Sequence, residues 1–300
     1  MKINTQEQWL PVYEALASTV RLKIINLLSN QPMNVKELAQ KLELSSAIIT
    51  MHINKLEKAG IIKSKRTKSK GGIQKLCTLA LDTIQIDFPI SKNIERKSHE
   101  FVLPIGLFTD CDIAPTCGIA TTEKIIGYFD DPRYFLDPKR VDAGILWLGK
   151  GFIEYKISNF LLANQNPEEL EISMEISSEA PGYNQNWPSD ISFFINDIKL
   201  GTWTSPGDFG EKKGIFTPKW WDKNINQYGM LKQLHVTNNG TFIDGEKLSN
   251  TSLKDIDIKR KQLSFKIAVL EDAVHVGGLT LFGKGFGNYN QDLIFKLYYN

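Results

Sequence analysis

Six basic side chains fall between positions 63 and 75: Lys63, Lys65, Arg66, Lys68, Lys70 and Lys75, with no acid among them. Cations so closely spaced repel one another unless an anion lies against them, and nucleic-acid phosphate is the obvious candidate. A second chemistry-bearing stretch lies far downstream. Residues 200–221, LGTWTSPGDFGEKKGIFTPKWW, set three tryptophans and two phenylalanines among glycines, prolines and charges. Flat rings beside carboxylates and amides suit a sugar. The ring faces the C–H side of a pyranose, and the polar groups hold its hydroxyls.

The elements that position the basic residues are legible from periodicity. Val12, Leu16, Val20, Ile24, Leu27 and Leu28 recur at helical spacing over residues 10–30, and Pro32 closes the element. Asn34 is the expected N-cap of a short helix that buries Leu38 and Leu42. After a tight turn, Ser45 caps a third helix and Gly60 stops it. Ile49, Ile53 and Leu56 form its buried stripe; Ser46, Ala47, Thr50, Met51, Asn54, Lys55 and Lys58 are left to the free surface. His52 borders the buried stripe and reads as a helix–helix contact. Two short helices joined tightly, the second polar on its free face, make a helix-turn-helix. The following IIKSKRTKSKGGIQKLCTLA reads as strand, glycine turn and strand, a β-wing.

Residues 10–81 resemble the winged-helix domain of ArsR-type bacterial repressors. LASTVRLKIINLL, VKELAQKLELSSAIITMHINKLEKAGII and the wing carry the likeness. It implies a recognition helix over residues 45–59 in the major groove of double-stranded operator DNA. It also implies wing–phosphate contacts and a homodimer reading an inverted repeat. The expected DNA-binding set is Ser45, Ser46, Ala47, Thr50, Met51, Asn54, Lys55, Lys63, Lys65, Arg66, Lys68, Lys70 and Lys75. Met51 is placed to touch a thymine methyl and Asn54 to read adenine. Many members of the family carry a glutamine where this chain has Ser46, and a serine where it has Thr50. The cysteine pair by which metal-sensing members bind soft metals is absent from VKELAQKL, so no metal site is expected there. Protein docking, or a merely solvated hairpin, is the alternative use of such a module.

Charge divides the chain in the same way. Residues 1–81 hold thirteen basic and five acidic side chains, +8, which leaves −6 for the rest of a chain whose net charge is +2. A basic head on an acidic body suggests a polyanion at one end only. From about residue 100 helical stripes give way to short apolar runs separated by turn residues, including Asn196-Asp197 and Asn239-Gly240. The expected fold is therefore multidomain. A winged helix-turn-helix (1–81) leads through a connector (82–104) to a large antiparallel, all-β, jelly-roll-like β-sandwich (105–300). This body is similar in outline, though not in motif, to carbohydrate-binding modules.

Within the body, Trp187, Trp203, Asp208 and Trp221 are expected to share a ligand pocket, with Asn288 brought close by the GKGFGN turn. For each tryptophan singly, packing is the competing role, and Trp147 in GILWLG reads as core. Trp220 and Trp221, as strand neighbours, should face opposite ways. Cys111 and Cys117 read as buried thiols, with redox sensing open; their spacing is too wide for a zinc knuckle. His275, read as a strand residue, is expected to be structural. No nucleophile–base ordering, HExxH or P-loop is visible, so neither catalytic residues nor a cofactor are expected. The polar start MKINTQEQ, three cysteines and the lack of an apolar span predict a cytoplasmic chain with no membrane contact. The resulting expectation is a dimeric transcriptional regulator whose β-domain senses a small ligand, a sugar first. Oligomerisation without a ligand, or glycan chemistry, is the alternative use of the body.

Overall fold

Local signals set the amino-terminal elements: strand β1 (Lys2–Asn4), helices α1 (Leu10–Leu16) and α2 (Thr19–Asn30), strand β2 (Met33–Asn34), helices α3 (Val35–Leu42) and α4 (Ser46–Lys58), and strands β3 (Ile62–Ser69), β4 (Gly72–Leu79) and β5 (Gln85–Asp87). The computed structural model describes residues 1–69, 72–81, 83–88 and 96–300. Lys70 lies outside them, as does the side chain of Lys68. The chain divides into two units, Met1–Glu95 and Arg96–Asn300.

The stripe read as one helix over residues 10–30 is two. Ser18 is extended (φ −160°, ψ 123°) and separates them. Arg21 of α2 turns back and donates to the carbonyls of Glu14 (2.6 Å) and Ala15 (2.8 Å). It thereby satisfies acceptors that the end of α1 leaves without helical partners. Ile24, Leu28, Leu38, Ile49, Ile53 and Leu56 pack with Ile62 and Cys77 into one core, while Leu42 is only partly buried. Each large apolar side chain removed from water contributes about 1.5–3 kcal/mol before entropy is counted.

The expected connector contributes strands to both units. β5 pairs in parallel with β1, Ile3 opposite Ile86. Strand β6 (Lys97–Leu103) opens the second unit and pairs with the last strand. The others follow as β7 (Asp110–Thr121), β8 (Ala143–Ser158), β9 (Pro167–Ser177), β10 (Ser189–Ile195), β11 (Ile198–Ser205), β12 (Met230–Thr237), β13 (Gly240–Ile243), β14 (Glu246–Ser249), β15 (Gln262–Val269), β16 (Leu279–Phe282) and β17 (Leu293–Tyr299). All pair antiparallel in one sheet, whose main path runs β11-β10-β15-β8-β16-β9-β12-β13-β14.

The layers of the expected sandwich are thus one continuous sheet folded on itself. Long β8 makes the bend: Ile145–Leu148 pair with β16, and Gly151–Ser158 with β15. The path's two ends meet, Ser249 Oγ donating to Leu200 O (2.6 Å), so the sheet is nearly a barrel. Alternate residues point inward: Ile153, Tyr155 and Ile157 from β8, Phe193 from β10, Phe265 from β15 and Phe295 from β17. The hydroxyl of buried Tyr155 donates to Ile105 O (2.7 Å).

Asn196 and Asp197 form the β10–β11 hairpin turn at positive φ (49° and 64°). The β12–β13 turn is Asn238-Asn239, one residue earlier than expected. Gly240, at φ 125°, already pairs with Thr237 and supplies the backbone conformation that a side chain would resist. Among the described residues no helix is long and apolar enough to cross a membrane.

Candidate nucleic-acid interface and ligand cavities

The α3–α4 pair is fixed by its caps. Asn34 Oδ1 accepts from Glu37 N (3.0 Å) and Glu37 Oε2 from Asn34 N (2.7 Å), a reciprocal box that starts α3. Glu43, at φ 55°, turns the chain, and Ser45 Oγ accepts from Ile48 N to start α4. Helix α4 buries Ile49, His52, Ile53 and Leu56. His52 Nδ1 lies 3.3 Å from Arg21 Nη1, behind the helix. Burial first, then the charges of Arg21 and Lys55, hold the His52 imidazole below its ordinary pKa.

The opposite face of α4 is open. Ser46, Ala47, Asn54, Lys55 and Lys58 are exposed, Met51 at 51%. Ile48, which periodicity did not single out, is also exposed; its apolar side chain on a polar face was the available signal. Thr50 is half-buried and donates to Ser46 O (2.7 Å), so its hydroxyl proton serves the helix itself.

In the wing, Lys63 lies opposite Thr78, Lys65 opposite Leu76 and Arg66 opposite Lys75. Lys63, Lys65 and Arg66 are exposed, and among the described residues none has an acidic partner within ion-pair distance. Lys75 differs. Its ammonium lies 2.6 Å from Glu57 Oε2 and donates to Asn54 Oδ1 (3.3 Å), tying β4 to α4. Burial pushes the Glu57 carboxyl up, but hydrogen bonds from Lys75 and Ser64 outweigh it and hold it below its ordinary range. The pairing was invisible in a charge count, because Glu57 precedes the wing in sequence.

The second unit does not gather the predicted ligand residues into one pocket. Hairpin β10–β11 does bring loops 178–188 and 206–229 together, through Trp187 N to Pro206 O (3.1 Å) and Asp208 N to Asn184 O (2.8 Å). Trp221, however, is 4% exposed and stands edge-on to Trp147 and Phe286, its Nε1 donating to Asn226 O (2.8 Å). Trp220 is partly exposed and donates to Thr122 O, but its ring stands edge-on to Trp221 (5.5 Å between centroids); the pair lies in a turn and not a strand, so strand alternation does not send the two rings opposite ways. Trp203 packs on the core beneath the Lys232 ammonium (4.6 Å).

Asp208 is fully buried and accepts from Ala180 N; burial pushes its carboxyl up to about 7. Asn288 is bound into structure: its N donates to Glu175 and its Oδ1 accepts from Ile215 N. Gly287 permits this, since any Cβ there would fall 2.2 Å from Glu175 Oε1. Only Trp187, 37% exposed, keeps an open ring. His275 lies in a loop, not a strand, with its N donating to Asp190 Oδ2 (3.0 Å). Cys117 is buried and its thiol is pushed up to about 11 by burial, then by Asp130.

Other places have room, and one of about 250 Å³ lies among Thr116, Lys150, Glu179, Pro181 and Trp187. A groove of about 530 Å³ crosses the outer face of strands β7, β8, β15 and β10, between the rings of Phe152 and Phe194, with Ala268 between them. Asp112, Asp197 and Lys266 stand along it. A cavity of about 210 Å³ lies among Thr116, Phe129, Trp147, Glu179 and Asn226. Another of about 340 Å³ lies among Tyr183, Lys213, Lys219 and Lys223, with Trp221 on its wall.

Comparison with known proteins bears on the first unit. Residues 18–64 match the family described as bacterial regulatory protein, arsR family, and carry its helix-turn-helix domain. An uncharacterized HTH-type transcriptional regulator of Methanocaldococcus jannaschii is 45% identical over 51 residues, 17% of this chain and 54% of that protein. The chain thus spans about half the length of this curated relative. Among solved structures, HlyU from Vibrio cholerae is similar over 24% of this chain and 75% of its own, at 25% identity and a TM-score of 0.22. A carbohydrate-binding module, CBM36 in complex with calcium and xylotriose, aligns over 66% of this chain and 98% of its own, at 9% identity and a TM-score of 0.28.

Proposed function

We propose that the protein is a DNA-binding transcriptional regulator that acts as a homodimer on an inverted repeat. The observation that carries this reading is the open face of α4, with Ser46, Ala47, Met51, Asn54 and Lys55 exposed beside the cations Lys63, Lys65 and Arg66. A thirteen-residue helix is about 20 Å long and fits a major groove about 12 Å wide. In this reading Met51 and Ile48 meet thymine methyls, Asn54 meets a base edge, and the wing holds phosphates. Two copies of α4 then lie about 34 Å apart, one turn of duplex. Lys75 serves inside the protein, as the tie between wing and helix, and is withdrawn from the phosphate set.

The β unit, in the same reading, senses a small effector, with a sugar as first choice. The support is the groove between Phe152 and Phe194, which has the volume of a small-molecule site and carboxylates and an amine beside its rings. Bound ligand must favour one pose of the dimer for DNA affinity to change.

Fluorescence anisotropy against duplexes enriched from a random pool tests the first part. Tight binding with a steep fall as salt rises is expected; no salt-dependent binding to any duplex refutes it. A sugar panel read by thermal shift tests the second part. A shift lost in Phe194→Ala supports the groove, and no shift with any sugar removes it.

A further inference from the structure

The cavity between Glu179 and Phe129 differs in chemistry from the others described, each of which has a lysine in its lining. Its charged lining residues, Asp130 and Glu179, are both acids. Glu179 is 8% exposed, and among the described residues no lysine, arginine or histidine lies within ion-pair distance of it. Its partners are neutral: Thr280 Oγ1 (2.9 Å) and Asn226 Nδ2 (3.1 Å) at Oε2, and Thr116 Oγ1 (3.4 Å) at Oε1. A second buried carboxyl stands close. Asp208 Oδ2 takes the N–H of Ala180, the residue after Glu179, and its Oδ1 has no partner. Asn226 Oδ1 has none either. Two buried acceptors are thus left without a donor, the hydroxyl of Ser178 has no partner either, and each unpartnered acceptor is costly unless a donor arrives. Burial, then the Asp208 charge, push the Glu179 carboxyl well above the ordinary range.

The walls decide what else fits. Phe129 stands edge-on to Trp147 (5.3 Å between centroids), and Pro181 and Ile225 add apolar surface. A hard metal ion would find oxygens at Asp130, Glu179 and Asn226 but nothing to gain from the apolar half of the lining, so calcium is the competing occupant that the test includes. An anion meets two carboxyls. An ammonium group on an apolar body satisfies both features, because a carboxylate takes its N–H donors and the rings attract its charge. Room on the order of seven waters limits the body to a few carbons or one ring.

We infer that this cavity binds a small organic ammonium ion, held by the Glu179 carboxylate with its apolar body against Phe129 and Trp147. This goes beyond the regulator reading, and its test uses neither DNA nor the sugar groove.

The probe is benzylammonium, compared with benzyl alcohol of the same shape and with calcium alone, by calorimetry on the full chain. Benzylammonium is expected to bind at least about tenfold more tightly than the alcohol. Its affinity should rise with pH, by up to about tenfold per unit, while Glu179 must release a proton to bind it. The groups around Glu179 are Asp208, Asp130 and the Cys117 thiol, and Lys150 lines the adjoining cavity, where it is paired with Glu271 and lies beyond ion-pair distance of Glu179. Glu179→Gln should abolish both the preference and the pH slope. Phe129→Ala, at a half-exposed ring, should weaken binding and keep the slope. Equal affinity for the alcohol, a flat pH profile, or binding of calcium without the ammonium overturns the inference. The first two comparisons are made on the unaltered protein and stand even where Glu179→Gln does not fold.

Discussion

The two units treat charge in opposite ways. On the first, Lys63, Lys65 and Arg66 stand in water without acidic partners among the described residues, and the buried cation, Arg21, is held by backbone carbonyls and His52. In the second, the acids Glu175, Glu179 and Asp208 are drawn inside, met by N–H and O–H groups and not by cations. Exposed cations keep their hydration until a polyanion displaces it, so they suit a large, extended partner. Buried carboxyls have lost theirs, so they suit a proton or a small donor that enters a cavity. In the proposed reading, surface charge and interior charge thus serve two kinds of recognition within one chain.

The largest effect that tests this contrast is on DNA binding. Reversing Lys63, Lys65 and Arg66 together to glutamate should weaken duplex binding by about a thousandfold or more at moderate salt. Circular dichroism should be unchanged, because the three are exposed. Unaltered affinity would mean that the wing's cations are only solvated. Next is Trp221→Ala, which should destabilise the second unit by about 3–5 kcal/mol in denaturant unfolding, as expected of a buried aromatic. Trp187→Ala, at a half-open ring, should cost well under that. Equal small losses would return Trp221 to the ligand-binding set.

A third effect is on stability against pH. Burial pushes the Glu175 carboxyl from 4.5 up to about 7 despite three backbone N–H donors, and Asp208 from 3.8 up to about 7. The folded state therefore holds protons that the unfolded chain releases, and stability falls as pH rises from about 4 to 7. Each group contributes at most on the order of 3–4 kcal/mol to that fall. Thermal unfolding midpoints should be higher at pH 5 than at pH 8, and Asp208→Asn should flatten the difference. A midpoint that rises toward pH 8 would show that these carboxyls are paired after all.

Smaller effects probe the helix and wing. Ser45→Ala removes the cap of α4 and should cost about 1 kcal/mol in unfolding free energy. Glu57→Gln frees Lys75 for a phosphate; it should strengthen duplex binding a few-fold and steepen the salt dependence by up to about one ion. A loss of binding instead would show that the tie between wing and helix matters more than the added cation.

Much of the first unit was legible because its signals are local. The 3.6-residue stripe of Ile49, Ile53 and Leu56, the caps Asn34 and Ser45, and the glycine at 60 act within a turn or two of themselves. What escaped was the break at Ser18, decided by Arg21 reaching back, and the capture of Lys75 by Glu57 from the neighbouring helix. In the second unit the strands and the Asn196-Asp197 turn followed from alternation and turn chemistry, but the ligand residues did not.

The sequence alone determined a basic helix-turn-helix with a wing, followed by an acidic antiparallel β body, because periodicity, capping and net charge are properties of neighbours along the chain. Only the tertiary structure decided that Trp221 is buried, that one sheet folds round to meet itself, and that Glu179 has no cation within ion-pair distance among the described residues. Those outcomes depend on which loops meet: Thr116, Glu179 and Asn226 are brought together from well-separated stretches, and no local pattern records the register of the strands between them.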